Sequence, residues 1–340
     1  LRFLIMKNRE KLLQDFLSKS GWDQASRQSI ASDASGRTYE RLTLNSSNAI
    51  LMNAPYSAGE DVKPFVAVTH MLKKLNLSAP IIYNKDIKNG FLLLEDLGDS
   101  LFSLLCEKSP KIEDEIYNSA INLLLHIHKN PAPENLLKYD INILIKESNL
   151  LTDWYLPNAI GTPLSETLID EFQNILSKTF SKVPSNNPVL VMRDYHAENL
   201  IWLPKRSGIN RVGLLDYQDA LAGHPAYDLV SLLEDARRDT SSDLQTNMIN
   251  KYISNSDLNR EEFLMAYNLL GAQRNIKIIG IFSRLSLRDK KSNYIDLIPR
   301  VWNHLINNLN HEACSDLKQW VNKNVPYPNH IVLQKLAPVI

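Results

Sequence analysis

At 340 residues, 44% of them hydrophobic and 22% charged, the chain is an ordinary globular sequence too long for one core, and two lobes are expected. Lys plus Arg and Asp plus Glu are equal at 38 each, which leaves no overall field to draw in nucleic acid, and no apolar run approaches the roughly 18 residues of a membrane span. Two cysteines, Cys106 and Cys314, far apart in sequence, exclude a disulfide framework and point to a reducing, cytoplasmic setting.

In chain order, residues 1–5 form a short apolar opening without the flanks of a signal peptide, and Met6 reads as the natural start. Residues 7–19 alternate charge with Leu12, Leu13, Phe16 and Leu17, which predicts an amphipathic helix ended at Gly21. Residues 28–32 and 38–44 read as strands around Asp33-Ala34-Ser35-Gly36. A tight turn of Gly and small residues lets backbone N–H groups approach a phosphate, although a plain hairpin turn uses the same residues. Residues 48–54 are the third strand, and residues 61–75 a helix with Val62, Phe65, Val66, Val68, Met71, Leu72 and Leu75 on its apolar side. Two further strands, 80–83 and 90–94, precede the charged run Glu95-Asp96-Leu97-Gly98-Asp99. Helices are then predicted over 101–106, 113–128, 139–155 and 164–180. His126 and His128, two apart, leave different sides of their helix and cannot share a metal there.

The stretch that carries chemistry runs from Val189 to Asp239. Apolar runs flank Asp194-Tyr195-His196-Ala197-Glu198-Asn199 on both sides, and a further run, Val212-Gly213-Leu214-Leu215, ends at Asp216. Short apolar runs bounded by turn residues read as buried strands. Asp194 and Asn199, on one loop, and Asp216, at a strand end, are therefore expected to converge. Phosphoryl transfer needs a carboxylate to orient an acceptor hydroxyl, and divalent metal held by hard oxygens. Asp and Asn also favour ordinary turns, and D-x-x-x-x-N alone is weak. Arg193 before it, the strand-like flanks, and Asp216 seventeen residues after Asn199 make the joint pattern more specific.

The segments DYHAENLIWL, GLLDYQDALAGHPAYDLVSLLEDARRD and, upstream, ILMNAP resemble the aminoglycoside phosphotransferase and choline kinase superfamily, relatives of the protein kinases. Within it they are most similar to bacterial anomeric kinases of N-acetylmuramate and N-acetylglucosamine. The likeness covers about residues 25–240; beyond them the chain matches only in being helical, over 241–253, 259–286, 294–309 and 312–323, with an irregular tail from Pro326. The resemblance implies a kinase-like α+β fold: an antiparallel N-lobe, residues 1–98, and a mainly helical C-lobe, residues 99–340. It implies ATP and magnesium. Asp194 is then the catalytic base, Asn199 its catalytic-loop partner, Asn199 and Asp216 the metal ligands, and Asp228 an acid bracing the loop. Ser35, Gly36 and Arg37 fall in the phosphate-covering loop, and Glu95, Asp96 and Leu97 in the hinge whose backbone holds adenine.

Three departures stand out. The covering loop has one glycine, not three. Met192 occupies the place, two before the catalytic Asp, where many members have His, so another group must brace the loop. The third strand carries Met52 and Asn53 where protein kinases have a phosphate-binding Lys, an absence shared with the muramate-kinase group. Arg37 or Arg41 could supply that charge, and Arg41 can equally face solvent. As to the acceptor, a cationic aminoglycoside or choline would favour unpaired acids, but Asp219, Glu234 and Asp235 are balanced by Arg237 and Arg238. Those arginines could bind the lactyl carboxylate of N-acetylmuramate bidentately, while by position they would pair with Asp239 or Glu234 on a helix over 227–238. The expected activity is transfer of the ATP γ-phosphoryl group to the anomeric hydroxyl of either sugar, in peptidoglycan recycling, by a cytoplasmic monomer. Another hydroxylated acceptor is the alternative, as is a nucleotide-binding regulator without turnover.

Overall fold

The structure, a computed structural model, describes residues 2–30, 36–184 and 187–338. Its strands are β1 (Ser26–Ile30), β2 (Thr38–Leu44), β3 (Ser47–Asn53), β4 (Ile82–Asp86), β5 (Phe91–Glu95), β6 (Val189–Val191), β7 (Leu200–Trp202), β8 (Val212–Leu214) and β9 (Leu221–Gly223). The helices are α1 (Arg2–Lys19), α2 (Val62–Lys74), α3 (Phe102–Lys108), α4 (Glu113–His128), α5 (Ile141–Ser148), α6 (Leu156–Ile160), α7 (Glu166–Phe180), α8 (Ala226–Leu233), α9 (Ser242–Ser254), α10 (Arg260–Leu287), α11 (Ile298–Leu309), α12 (Ser315–Asn324) and α13 (His330–Leu336). A small antiparallel sheet and a large helical remainder are the α+β division that the sequence leads one to expect. None of the described helices is long and apolar enough to cross a membrane.

The chain divides into two compact units. The first comprises residues 1–101 and 200–219. Its sheet has the order β1-β2-β3-β5-β4, antiparallel throughout. Asn45 and Ser46, both at positive φ (47° and 67°), form the two-residue turn that sets the β2–β3 register, a geometry matched to strand twist. Leu13, Phe16 and Leu17 of α1 are buried in one cluster with Leu42, Ala49, Leu51, Phe91 and Leu93 of the sheet, and the Phe16 and Phe91 rings stack at 5.7 Å. Asp61 caps α2 by accepting the Lys63 N–H. The expected boundary at residue 98 is incomplete, because the β7–β8 hairpin returns to this unit. Trp202 N–H donates to the Ser100 carbonyl (2.8 Å), Leu214 N–H to that of Ser78 (3.0 Å), and Arg206 pairs with Glu95.

The second unit comprises residues 102–199 and 220–340. Its axis is α10, whose middle is buried from Leu269 to Gly280 and packs on α8 and α11. Three expectations need correcting. The helix foreseen over 139–155 ends at Ser148, and the chain continues through a wider turn, Leu151–Tyr155, before α6. The helix foreseen over 227–238 stops at Leu233, because the buried Glu234 carboxylate is taken by the side-chain amides of Asn275 and Asn308. The tail is not irregular throughout: Asn329 accepts from Val332 N–H and starts α13.

Gly280 allows a stability test. In a helix interior Ala is ordinarily favoured over Gly by about 1 kcal/mol. Here an added Cβ would lie 2.3 Å from the Leu150 carbonyl carbon and 2.4 Å from its oxygen. Backbone cannot swing away as a side chain can, so strain exceeds propensity. Gly280→Ala should lose about 1–3 kcal/mol, read as a lower urea midpoint with unchanged m. A raised midpoint would show that α10 and the Leu150 turn are not so closely packed.

Candidate active site

The loop after β6 is fixed from several directions within the second unit. Asp228, fully buried on α8, accepts from the backbone N–H groups of Met192 (2.7 Å) and Arg193 (2.8 Å). Burial pushes its carboxyl up to about 7, against those two N–H bonds. Arg193 adopts φ 70°, unusual for a residue with a side chain, and pairs with Glu147, which also lies 3.4 Å from Lys277. Lys277 in turn donates to the Tyr227 hydroxyl at 2.8 Å. Tyr195, buried, donates its hydroxyl to the Ala120 carbonyl (2.9 Å). Ala197 N–H donates to Asp235 (3.3 Å), and its carbonyl accepts from Ser103 N–H (3.1 Å). These contacts are the brace for which Met192 itself offers no polar group.

Between those anchors Asp194 stays partly exposed. Burial pushes its carboxyl up, but Lys277, His196, Arg193 and Arg274 outweigh that and hold it below the ordinary aspartate range. Asp194 and Asp228 are thus driven in opposite directions by their surroundings. Asn199 donates its side-chain N–H to the Asp194 carbonyl at 3.0 Å, which leaves its amide oxygen as the atom that can ligate a cation.

The first unit holds the other candidates. Asp216 follows β8 at φ 53°, again a strained position for a residue with a side chain. The next residue, Tyr217, is buried, stacks on Phe65 at 5.0 Å and shares a hydrogen bond with Thr69 on α2 (2.8 Å). Asp216 accepts from the Gln218 amide at 2.9 Å and lies 3.5 Å from the Arg37 guanidinium. Glu60, just before α2, accepts from Arg37 Nε and from Gly36 N–H, each at 2.8 Å. A Cβ at Gly36 would lie 2.9 Å from that of Ala58, so only glycine fits this approach. In this structure that amide donates to Glu60. Ser35 lies outside the described residues.

In the segment expected to be the hinge, Glu95 donates its N–H to the Ile81 carbonyl (2.8 Å) and pairs with Arg206, and Asp96 accepts from Gly98 N–H (2.9 Å). Leu97 is buried. Arg41 does not face solvent: Asp96 and Asp99 both grip its guanidinium. Nor do Arg237 and Arg238 pair as expected. Arg237 bonds Glu198 on the loop after β6 at 2.8 Å, Arg238 is tied to Glu113 and the Tyr117 hydroxyl, and Asp239 is taken by Arg300. Asp194 is thus grouped with Asn199 in the second unit, and Gly36 and Arg37 with Asp216 in the first. Glu60, Glu147 and Lys277 escaped sequence reasoning. Only Lys277 left a signal, as a lone cation in the apolar run Ile276–Gly280.

A family model described as phosphotransferase enzyme family matches residues 26–264. The chain is 36% identical to an N-acetylmuramate/N-acetylglucosamine kinase of Caulobacter vibrioides over 95% of this chain and 98% of that relative. It is 31% identical to a protein of the same name from Pseudomonas aeruginosa over 87% of this chain and 88% of that one. Among solved structures it is similar to choline kinase LicA from Streptococcus pneumoniae, with a TM-score of 0.64 over 88% of this chain and 99% of that one; at 14% identity the likeness is one of fold.

Proposed function

The chain belongs to the phosphotransferase enzyme family, and from that premise we propose that it transfers the γ-phosphoryl group of ATP to the anomeric hydroxyl of N-acetylmuramate or N-acetylglucosamine. The observation that carries the chemistry is Asp194: a partly exposed carboxylate, held ionised by surrounding cations, on a loop braced by Asp228. The choice of acceptor is supported by relatives at 29–36% identity that bear the name of an N-acetylmuramate/N-acetylglucosamine kinase.

Asp194 orients the acceptor hydroxyl and takes its proton as the oxygen attacks phosphorus. Asn199 fixes the Asp194 backbone through its N–H and presents its oxygen as a neutral metal ligand. Asp216, with a half-exposed side chain, is the charged ligand. One acid and one amide oxygen suit magnesium; Asp216 and Asn199 would hold it, and it would supply positive charge against the phosphates. The hinge backbone around Asp96 and Leu97 holds adenine. We place the reaction in peptidoglycan recycling, carried out by a cytoplasmic monomer.

The test is direct. Purified protein with ATP and magnesium should convert N-acetylmuramate, and N-acetylglucosamine too, to an α-1-phosphate. The product should be acid-labile, and phosphorus NMR should show coupling to the anomeric proton. Phosphorylation of choline or kanamycin with both sugars untouched would sink the acceptor assignment.

A further inference from the structure

We propose that Arg37, clamped by Glu60, is the cation that binds the nucleotide phosphates in this chain, in place of the lysine that β3 lacks. The inference rests on the ATP-dependent reading above and assigns a specific residue to it.

β3 has the sequence SNAILMN and carries no cation. Its last residue, Asn53, is engaged by Arg9 instead (3.1 and 2.6 Å). In kinase-type sites the strand lysine is useful because a helix glutamate holds it toward the phosphates. The same pairing of parts recurs here with different residues. Glu60 precedes α2, and its two carboxylate oxygens grip both the Gly36 amide and Arg37 Nε. Using Nε for the brace directs the terminal nitrogens onward, and Nη1 lies 3.5 Å from Asp216, the proposed metal ligand. The guanidinium is therefore placed at the acid where phosphate charge would gather. Arg37 and Glu60 are both largely buried, with 13% and 15% of their side chains exposed, so solvent screens them little.

The other arginines of the sheet are committed elsewhere. Arg27 is held by Glu10 and Glu40, and Arg41 by Asp96 and Asp99. Each thus has two carboxylates remote from Asp216 in its hydrogen bonding. Arg37 alone, among these, has Asp216 as a partner. Arg37 meets Glu60 through Nε, Asp216 through Nη1 and the Tyr39 side chain, and its planar guanidinium carries five N–H donors with which to meet phosphate oxygens, whereas an ammonium is a single point of charge.

The experiment compares ATP and AMP binding by calorimetry in wild type, Arg37→Met, Arg37→Lys and Glu60→Gln, with turnover measured alongside. Charged hydrogen bonds are each worth enough for about a 10- to 100-fold loss of ATP affinity in Arg37→Met. AMP affinity should change less than about threefold, since a hinge-bound adenosine does not need Arg37. Arg37→Lys should recover part of the ATP preference, and Glu60→Gln should lose part of it. Arg41→Met, altered at the hinge, should change ATP and AMP affinity together. If Arg37→Met does not fold, the lysine and Glu60 variants read the same ratio. A wild-type ATP preference that all Arg37 and Glu60 variants retain overturns this inference alone. A wild type that does not prefer ATP to AMP overturns it together with the nucleotide part of the proposed function.

Discussion

Asp194→Asn is expected to lower kcat by about 10²- to 10⁴-fold, the range for losing a general base together with its positioning. The substitution keeps the shape of the side chain and leaves the backbone contacts of the loop in place, Asp194 N–H to the Met192 carbonyl (2.9 Å) and the Asn199 amide to the Asp194 carbonyl (3.0 Å). What disappears is the carboxylate. Its removal relieves a desolvation cost and forfeits attraction to Lys277, His196, Arg193 and Arg274, effects of opposite sign. The melting temperature should therefore move little while turnover collapses. The wild-type carboxyl lies below the ordinary aspartate range, so it is ionised at neutral pH, and its electrostatic stabilisation is present above the unfolded pKa and lost as pH falls through the folded value. Near wild-type turnover in the mutant would remove Asp194 from the chemistry.

Asp216→Ala should abolish magnesium-dependent ATP turnover. Asp216 sits at φ 53°, a conformation that Asp and Asn tolerate better than Ala, so the alanine variant also carries a conformational cost of about 1–2 kcal/mol. Asp216→Asn separates the two effects, because it keeps a side chain that tolerates this conformation and can accept from Gln218, and removes only the charge. Both variants should lose the magnesium response, while nucleotide binding measured in EDTA survives through the hinge. A magnesium titration that superimposes on the wild type would count against Asp216 as a ligand.

These two residues were visible in the sequence because their surroundings are local. The apolar runs before Asp194 and before Asp216 are short strands, and a strand's burial is written in its own residues. The same holds for α4, predicted over 113–128 and found there, whose apolar repeat records which face is covered. Helix ends were less legible. Nothing near Leu233 says that α8 stops, since the cause is Glu234 meeting Asn275 and Asn308.

By itself, then, the sequence determined most of the order of strands and helices (though not β9 or α6), the α+β division, and the loop that carries Asp194 and Asn199. These follow from periodicity and turn chemistry, which act over a few residues. Tertiary structure alone decided which charges meet. Arg37 reaches Glu60 and Asp216, Arg41 reaches Asp96 and Asp99, and Glu147 reaches Arg193 and Lys277. It also returned residues 200–219 to the sheet-bearing unit. The entropy of closing a loop grows only with the logarithm of its length, so sequence separation scarcely limits which partners meet. An arginine reads the same in sequence whichever carboxylates it meets, and only the fold separates Arg41, held by Asp96 and Asp99, from Arg37, beside Glu60 and Asp216.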